Sequence, residues 1–196
     1  MKNTDSKSLI LISIYFLIIS LSKFIPHGEN ISAVGGLIIF GGFIFGRNWN
    51  FLIISLISLY AVDFVFNNFI HPEYFQDNSG LIFFDDYMIW VYLSYLLIIV
   101  MSSAILRKFS YMKLFFASIG GSILFFLITN FAWLYTTQLY PRDFGGLMAS
   151  YIAALPFFRS SLLSDVVFSF FIFGLYDLVI NRYFIKSNVY SLIKKQ

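Results

Sequence analysis

The stretch from Tyr87 to Leu106 reads YMIWVYLSYLLIIVMSSAIL, a run without a charge that is bounded by Asp85 and Asp86 before it and by Arg107 and Lys108 after it. A helix of about 20 apolar residues, rising about 1.5 Å per residue, is as long as the roughly 30 Å hydrocarbon core of a bilayer is thick. Four more runs follow the same pattern: Ser8 to Phe24 behind Lys2 and Lys7, Trp49 to Phe66, Leu114 to Tyr135 and Ser161 to Ile180. A further run, Ile31 to Gly46, is shorter and carries Gly35, Gly36, Gly41, Gly42 and Gly46. It reads as a tilted or packed helix that crosses only with protein around it.

The expected fold is therefore an all-α membrane protein, a bundle of six transmembrane helices in a single domain over residues 1–196. Phe144 to Phe158 is apolar but short, starts at Gly145 and Gly146 and ends near Pro156. By its length it is expected to be an extra re-entrant or interfacial helix before the last span. The first run also fits a signal peptide, but no Ala-x-Ala-like site follows in Ser22 to Pro26, and a retained helix is the reading adopted.

Composition agrees, with 59% apolar and only 12% charged residues and a mean hydropathy of +0.81. An ordinary soluble domain has about 25% charged residues. There is no cysteine, so disulfides, thiolate metal sites and cysteine nucleophiles are excluded. No cofactor motif and no metal site is read. The net charge of +3 marks topology here and implies no nucleic-acid partner, because the cations flank the apolar runs. With six crossings and a cytoplasmic N-terminus, Lys2, Lys7, Arg47, Arg107, Lys108, Lys113, Arg182, Lys186, Lys194 and Lys195 fall inside. Only Lys23, Arg142 and Arg159 fall outside. This asymmetry predicts a multi-pass protein of the cell membrane with both termini cytoplasmic.

Acids sort the other way. Glu29, Glu73, Asp77, Asp85, Asp86 and Asp143 fall in outer loops, and Asp63 and Asp165 in the outer thirds of their runs. A carboxylate inside a span costs at least about 2.5 kcal/mol unless it meets water or a partner. Asp63 and Asp165 thus mark either a site or a structural pair with Arg159. Asn67, Asn68, Asn130, Trp133, Arg159 and Ser164 lie at the same level, and His27, Glu29 and Asn30 occupy the adjoining loop. The inner halves of the runs are nearly pure Leu, Ile, Phe and Tyr. An outward-facing polar pocket on a closed apolar floor is expected.

Several stretches carry a family likeness: Ile25 to Ser32, Phe43-Ile44-Phe45-Gly46-Arg47, Leu59-Tyr60-Ala61-Val62-Asp63, Gly121 to Phe131 and Tyr151 to Arg159. Over roughly residues 10–180 the chain resembles a family of uncharacterised bacterial membrane proteins. That family is in turn similar, in size and helix pattern, to the S components of energy-coupling-factor vitamin transporters. The resemblance implies uptake of a small vitamin-like solute captured at the outer face, and as partner an energising transmembrane subunit with ATPases. Ser13, Ser20, Gly42 and Gly46 are then candidate docking residues, although the Ala-x-x-x-Ala pattern of such first helices is absent. His27 also occupies a place comparable to the cobalt-facing histidine of solitary cobalamin-binding S components. The solute-binding set read from the chain is His27, Asn30, Asp63, Asn130, Trp133, Arg159 and Asp165, with Trp133 stacking on the solute.

Each of these residues has a plainer reading: His27 as a capping or solvated residue, Asn130 as an interhelical hydrogen bond, Trp133 as an interfacial anchor. There is no H-E-x-x-H, no G-x-S-x-G and no phosphate-binding loop, so no enzyme is expected and ATP use belongs to another chain. An aspartyl protease dyad of Asp63 and Asp165 is the least favoured alternative, since Leu163-Ser164-Asp165 lacks the Gly-x-Gly-Asp signature. A structural or assembly subunit that binds no solute is the main one.

The topology yields a direct test. In sealed cells, labels at Asn78 and Asp143 are expected to react from outside, and labels at Ser110 and Gln196 only after permeabilisation. Outside access to Gln196 would overturn the arrangement.

Overall fold

The computed structural model describes residues 31–46, 48–70, 80–136 and 139–179, with positions 18 and 21. Their elements are helices α1 (Val34–Phe45), α2 (Trp49–Val65, continued by a π-helical turn Phe66–Ile70), α3 (Asp86–Ile105), α4 (Tyr111–Thr136) and α5 (Phe144–Val179). No strand occurs among the described residues. Four helices are long and apolar enough to cross a membrane, over Trp49–Ile70, Asp86–Ile105, Tyr111–Ala132 and Phe144–Leu178. The expected first run, Ser8 to Phe24, lies outside the described residues apart from those two positions.

Two expectations change. The run Ile31 to Gly46 yields only the 12-residue α1, about 18 Å long at helical rise, which falls short of a roughly 30 Å hydrocarbon core. The stretch Phe144 to Phe158 is no separate re-entrant or interfacial helix. It runs unbroken into the last span as one helix of 36 residues, with Pro156 inside it. A proline there forfeits one backbone hydrogen bond, which spanning helices tolerate when neighbouring groups re-satisfy the freed carbonyl. The residues after it, Phe157 to Ser161, supply no turn signal to stop the helix.

Side-chain register fixes the arrangement. Tyr95 stacks on Phe125 and Trp90 meets Phe131, so α3 and α4 are antiparallel. Tyr151 reaches the Leu127 carbonyl and Tyr111 stacks on Phe170, so α4 and α5 are antiparallel too. The short α1 packs against α3 and α5, and less extensively against α4. It runs parallel to α5, with Gly36 beside Phe168 and Ser169, Phe40 against Phe173, and Phe43 against Tyr176. It starts at the level of Ser122, near the middle of the 26-residue α4, and ends by Phe109. Thus α1 fills the core of only one half of the bundle.

In lipid no hydrophobic force draws helices together, so packing distance decides. Built at Gly42, a Cβ would meet Ser102 Oγ and the Ile99 carbonyl; at Gly36 it would come within 2.8 Å of the Ser169 backbone nitrogen. Around α1, Ile38, Ile39, Ile99, Leu114, Ala117 and Phe173 are buried. Buried serines keep the facing surfaces small and satisfy their hydroxyls on their own helices: Ser94 donates to the Trp90 carbonyl, Ser102 to Ile99 and Ser118 to Leu114. These side chains add no unpaired polar atom to the interior. Beyond the end of α1, Phe43, Phe109, Phe173 and Tyr176 form a ring cluster, with Phe109 stacked on Phe173 at 5.4 Å. It packs the described helices together at that end.

At the opposite end α3 and α5 begin. Asp85 caps α3 by accepting from Tyr87 N at 2.7 Å, and Asp143 caps α5 by accepting from Gly146 N at 2.8 Å. Two acids read as outer-loop charges thus satisfy helix N-termini, where anions are favoured.

Gly36→Ala is expected to lower stability by about 1 to 3 kcal/mol, because the facing atoms are backbone and yield poorly. Gly174 has nothing within 4 Å of a built Cβ, and Gly174→Ala is expected to be neutral or to stabilise by up to about 1 kcal/mol. Detergent melting of the two variants decides it, and equal shifts would refute the packing argument.

Candidate functional site

Because α1 stops at mid-height, no central helix fills the other half of the bundle among the described residues, and a cavity of about 390 Å³ opens there between α4 and α5. From α4 it is lined by Ser122, Phe125, Phe126, Thr129 and Asn130. The α5 wall is made by Ser150, the small pair Ala153 and Ala154, then Phe157, Phe158, Ser161 and Asp165. Tyr87 of α3 and Tyr140 of the α4–α5 connection complete it.

Asp165 forms the floor. Its Oδ2 accepts from Ser122 Oγ at 2.6 Å, and its carboxylate lies against Gly35, where any Cβ would collide with it. Gly35 stands in the first turn of α1, so the positive end of that helix dipole faces the carboxylate. The neighbouring Ser164 ties the start of α1 to α5: its Oγ accepts from Ser32 N at 2.9 Å and donates to Ser32 O at 2.8 Å. These contacts fix the floor at mid-height, deeper than the outer third expected for Asp165.

Higher in the wall, the polar groups are partly committed. Thr129 Oγ1 donates to the Phe125 carbonyl at 2.8 Å, Ser150 Oγ to the Asn130 carbonyl at 2.9 Å, and Asn130 Nδ2 to the Phe126 carbonyl at 2.8 Å. Phe126 meets Phe158 at 4.6 Å between ring centroids.

Of the solute-binding set read from the sequence, the structure places Asn130 and Asp165 on one cavity. Asp63 is elsewhere, accepting from Tyr92 Oη at 2.9 Å across the α2–α3 contact. Beside that contact runs an apolar groove lined by Leu56, Ile57, Leu93 and Leu96, which suits lipid. Arg159 is exposed and lines neither hollow, so it bridges no pair with the aspartates. His27, Asn30 and the side chain of Trp133 lie outside the described residues. Asn68, noted for its polarity, holds the 80–85 segment to α2, with its amide bonded to both Ile82 backbone groups.

Sequence reasoning missed Ser122, Thr129, Ser150 and the facing phenylalanines. Their signal was the antiparallel register of Gly121 to Asn130 against Ser150 to Asp165, visible only once Phe144 onward is one helix. Among the described residues no group of three or more His, Asp or Glu side chains could hold a metal ion.

The fold and site define an all-helical protein with membrane-spanning segments and a cavity floored by a carboxylate. Within that class the chain belongs to a family of unknown function, DUF6580, which matches residues 2–189. No curated protein and no solved structure matches it.

Ser164→Ala removes both bonds to Ser32 and is expected to cost about 1 to 3 kcal/mol, the range for a buried polar group left unmatched. Arg159→Ala is expected to stay within about 0.5 kcal/mol of the parent, as for exposed positions generally. The reverse order of melting temperatures would show that Arg159 carries an architectural pairing.

Proposed function

We propose that this protein binds a small solute in the α4–α5 cavity and serves as the membrane-embedded, substrate-binding part of an uptake system. The observation that carries the reading is the cavity itself. Its volume of about 390 Å³ falls within the roughly 300–1,000 Å³ of small-molecule sites, and aromatic walls with a few convergent polar groups are their usual composition. The Asp143 end is the outer one on the cation asymmetry, so the solute enters from outside toward Asp165. The aromatic cluster around Phe109 bars onward passage.

The likeness to S components, in size and helix pattern, supports the same direction. It adds a partner subunit with ATPases, because the sequence holds no phosphate-binding loop. The volume suits a compact solute. Lipid surrounds the remaining surface, where large apolar side chains such as Ile57, Leu127, Val167 and Phe171 are exposed.

The test uses the whole chain purified in mild detergent. Denaturation is expected to release a small molecule detectable by mass spectrometry. Ala154→Trp, which fills the cavity from its small-residue wall, is expected to fold and release none. Absence of any released molecule, together with no solute that raises the melting temperature, would overturn the reading in favour of a structural or assembly subunit.

A further inference from the structure

We infer that the solute of the α4–α5 cavity is an organic cation, a protonated amine or amidinium on a compact apolar body, whose N–H groups meet Asp165. The inference rests on the reading of the cavity as a solute site and specifies what enters it. Three features of the lining converge on this class.

The first is charge. Among the described residues of the lining, Asp165 is the only carboxylic acid, and no lysine, arginine or histidine accompanies it there. An anionic solute would bring a like charge into a low-dielectric site with no cation to meet it. A carboxylate at mid-height of a bundle calls for a positive partner, and Ser122 together with the half-charge of the α1 terminus offsets it only in part.

The second is hydrogen-bond polarity. The hydroxyl hydrogens of Thr129 and Ser150 are already given to the carbonyls of Phe125 and Asn130. Ser122 Oγ has one hydrogen and lies 2.6 Å from Asp165 Oδ2 and 3.1 Å from the Ser118 carbonyl, so the shorter contact takes it. Asn130 gives one amide hydrogen to the Phe126 carbonyl and keeps the second, with Oδ1 as an acceptor. Apart from that one amide hydrogen, what these side chains still offer is lone pairs, and a guest rich in N–H donors satisfies them.

The third is the wall. Phe125, Phe126, Phe157 and Phe158 line the space between floor and rim, with Tyr87 and Tyr140. Ring faces attract cations in desolvated sites and stack on planar apolar bodies. A purely polar cation such as a hydrated metal ion would gain little from them.

The experiment compares three probes of one shape on the full chain in detergent: tryptamine, a cation; tryptophol, neutral; and indole-3-acetate, an anion. Tryptamine is expected to raise the melting temperature and to bind in calorimetry, with the other two far weaker. Asp165→Asn keeps size and shape and is expected to weaken tryptamine by roughly ten- to a hundredfold, the range for a hydrogen bond to a charged group. Asp63→Asn, outside the cavity, is expected to leave its affinity unchanged. Equal binding of tryptophol and tryptamine, preference for indole-3-acetate, or unchanged tryptamine affinity in Asp165→Asn would each overturn the inference. A neutral or anionic molecule released from the parent but not from Ala154→Trp would overturn the cation class while leaving the cavity as a solute site. If no probe binds and no molecule is released, both readings fall together.

Discussion

The close approach of the α1 glycines to α3 and α5 governs the architecture of the described helices. Helices in lipid gain nothing from excluding water, so they associate where backbones can come near enough for dispersion to accumulate. Gly36 lets α1 lie on the Ser169 backbone, and Gly42 lets it lie on the Ile99 carbonyl and Ser102. Serines on the facing helices do the same from the other side. The hydroxyls of Ser102 and Ser118 turn back to carbonyls one turn away and leave no unmet polarity, whereas Ser169 Oγ, beside Gly36, is buried without a hydrogen-bond partner among the described residues.

From that approach the cavity follows. A full-length helix in the position of α1 would fill the centre of the bundle from end to end. A 12-residue helix fills half, and the space above its first turn is left between α4 and α5. Its terminus also brings a positive dipole end and a bare glycine to Asp165, so the carboxylate has a place to lie that a Cβ would deny. Shape and electrostatics at the floor thus have the same origin, the point at which α1 begins.

The sequence made the helical class and the run boundaries legible because length and hydropathy are local quantities. The runs Trp49 to Phe66 and Tyr87 to Leu106 match α2 and α3 closely. Charge asymmetry at the two ends was also visible, and the outer-loop acids Asp85 and Asp143 turn out to cap helix N-termini. Asp165 and Asn130, conspicuous because they are polar inside apolar runs, both line the cavity. Asp63 was conspicuous for the same reason but serves the α2–α3 contact through Tyr92. Which polar residue faces which neighbour depends on interhelical register, and that depended on whether the helix stops at Pro156. A proline signals a break in isolation; tertiary contacts on both sides overrule it here.

The length of α5 has a consequence of another kind. Thirty-six residues amount to about 54 Å of helix, well beyond a hydrocarbon slab of roughly 30 Å. Such a rod must lean, or carry part of itself into the headgroup region, and the degree of each follows the thickness of the surrounding lipid. One wall of the cavity is this rod and the other is the shorter α4. Because α4 packs along α5 more extensively than any other pair of described helices does, a lean of the long rod carries the shorter helix, and with it the space above Asp165, as a unit.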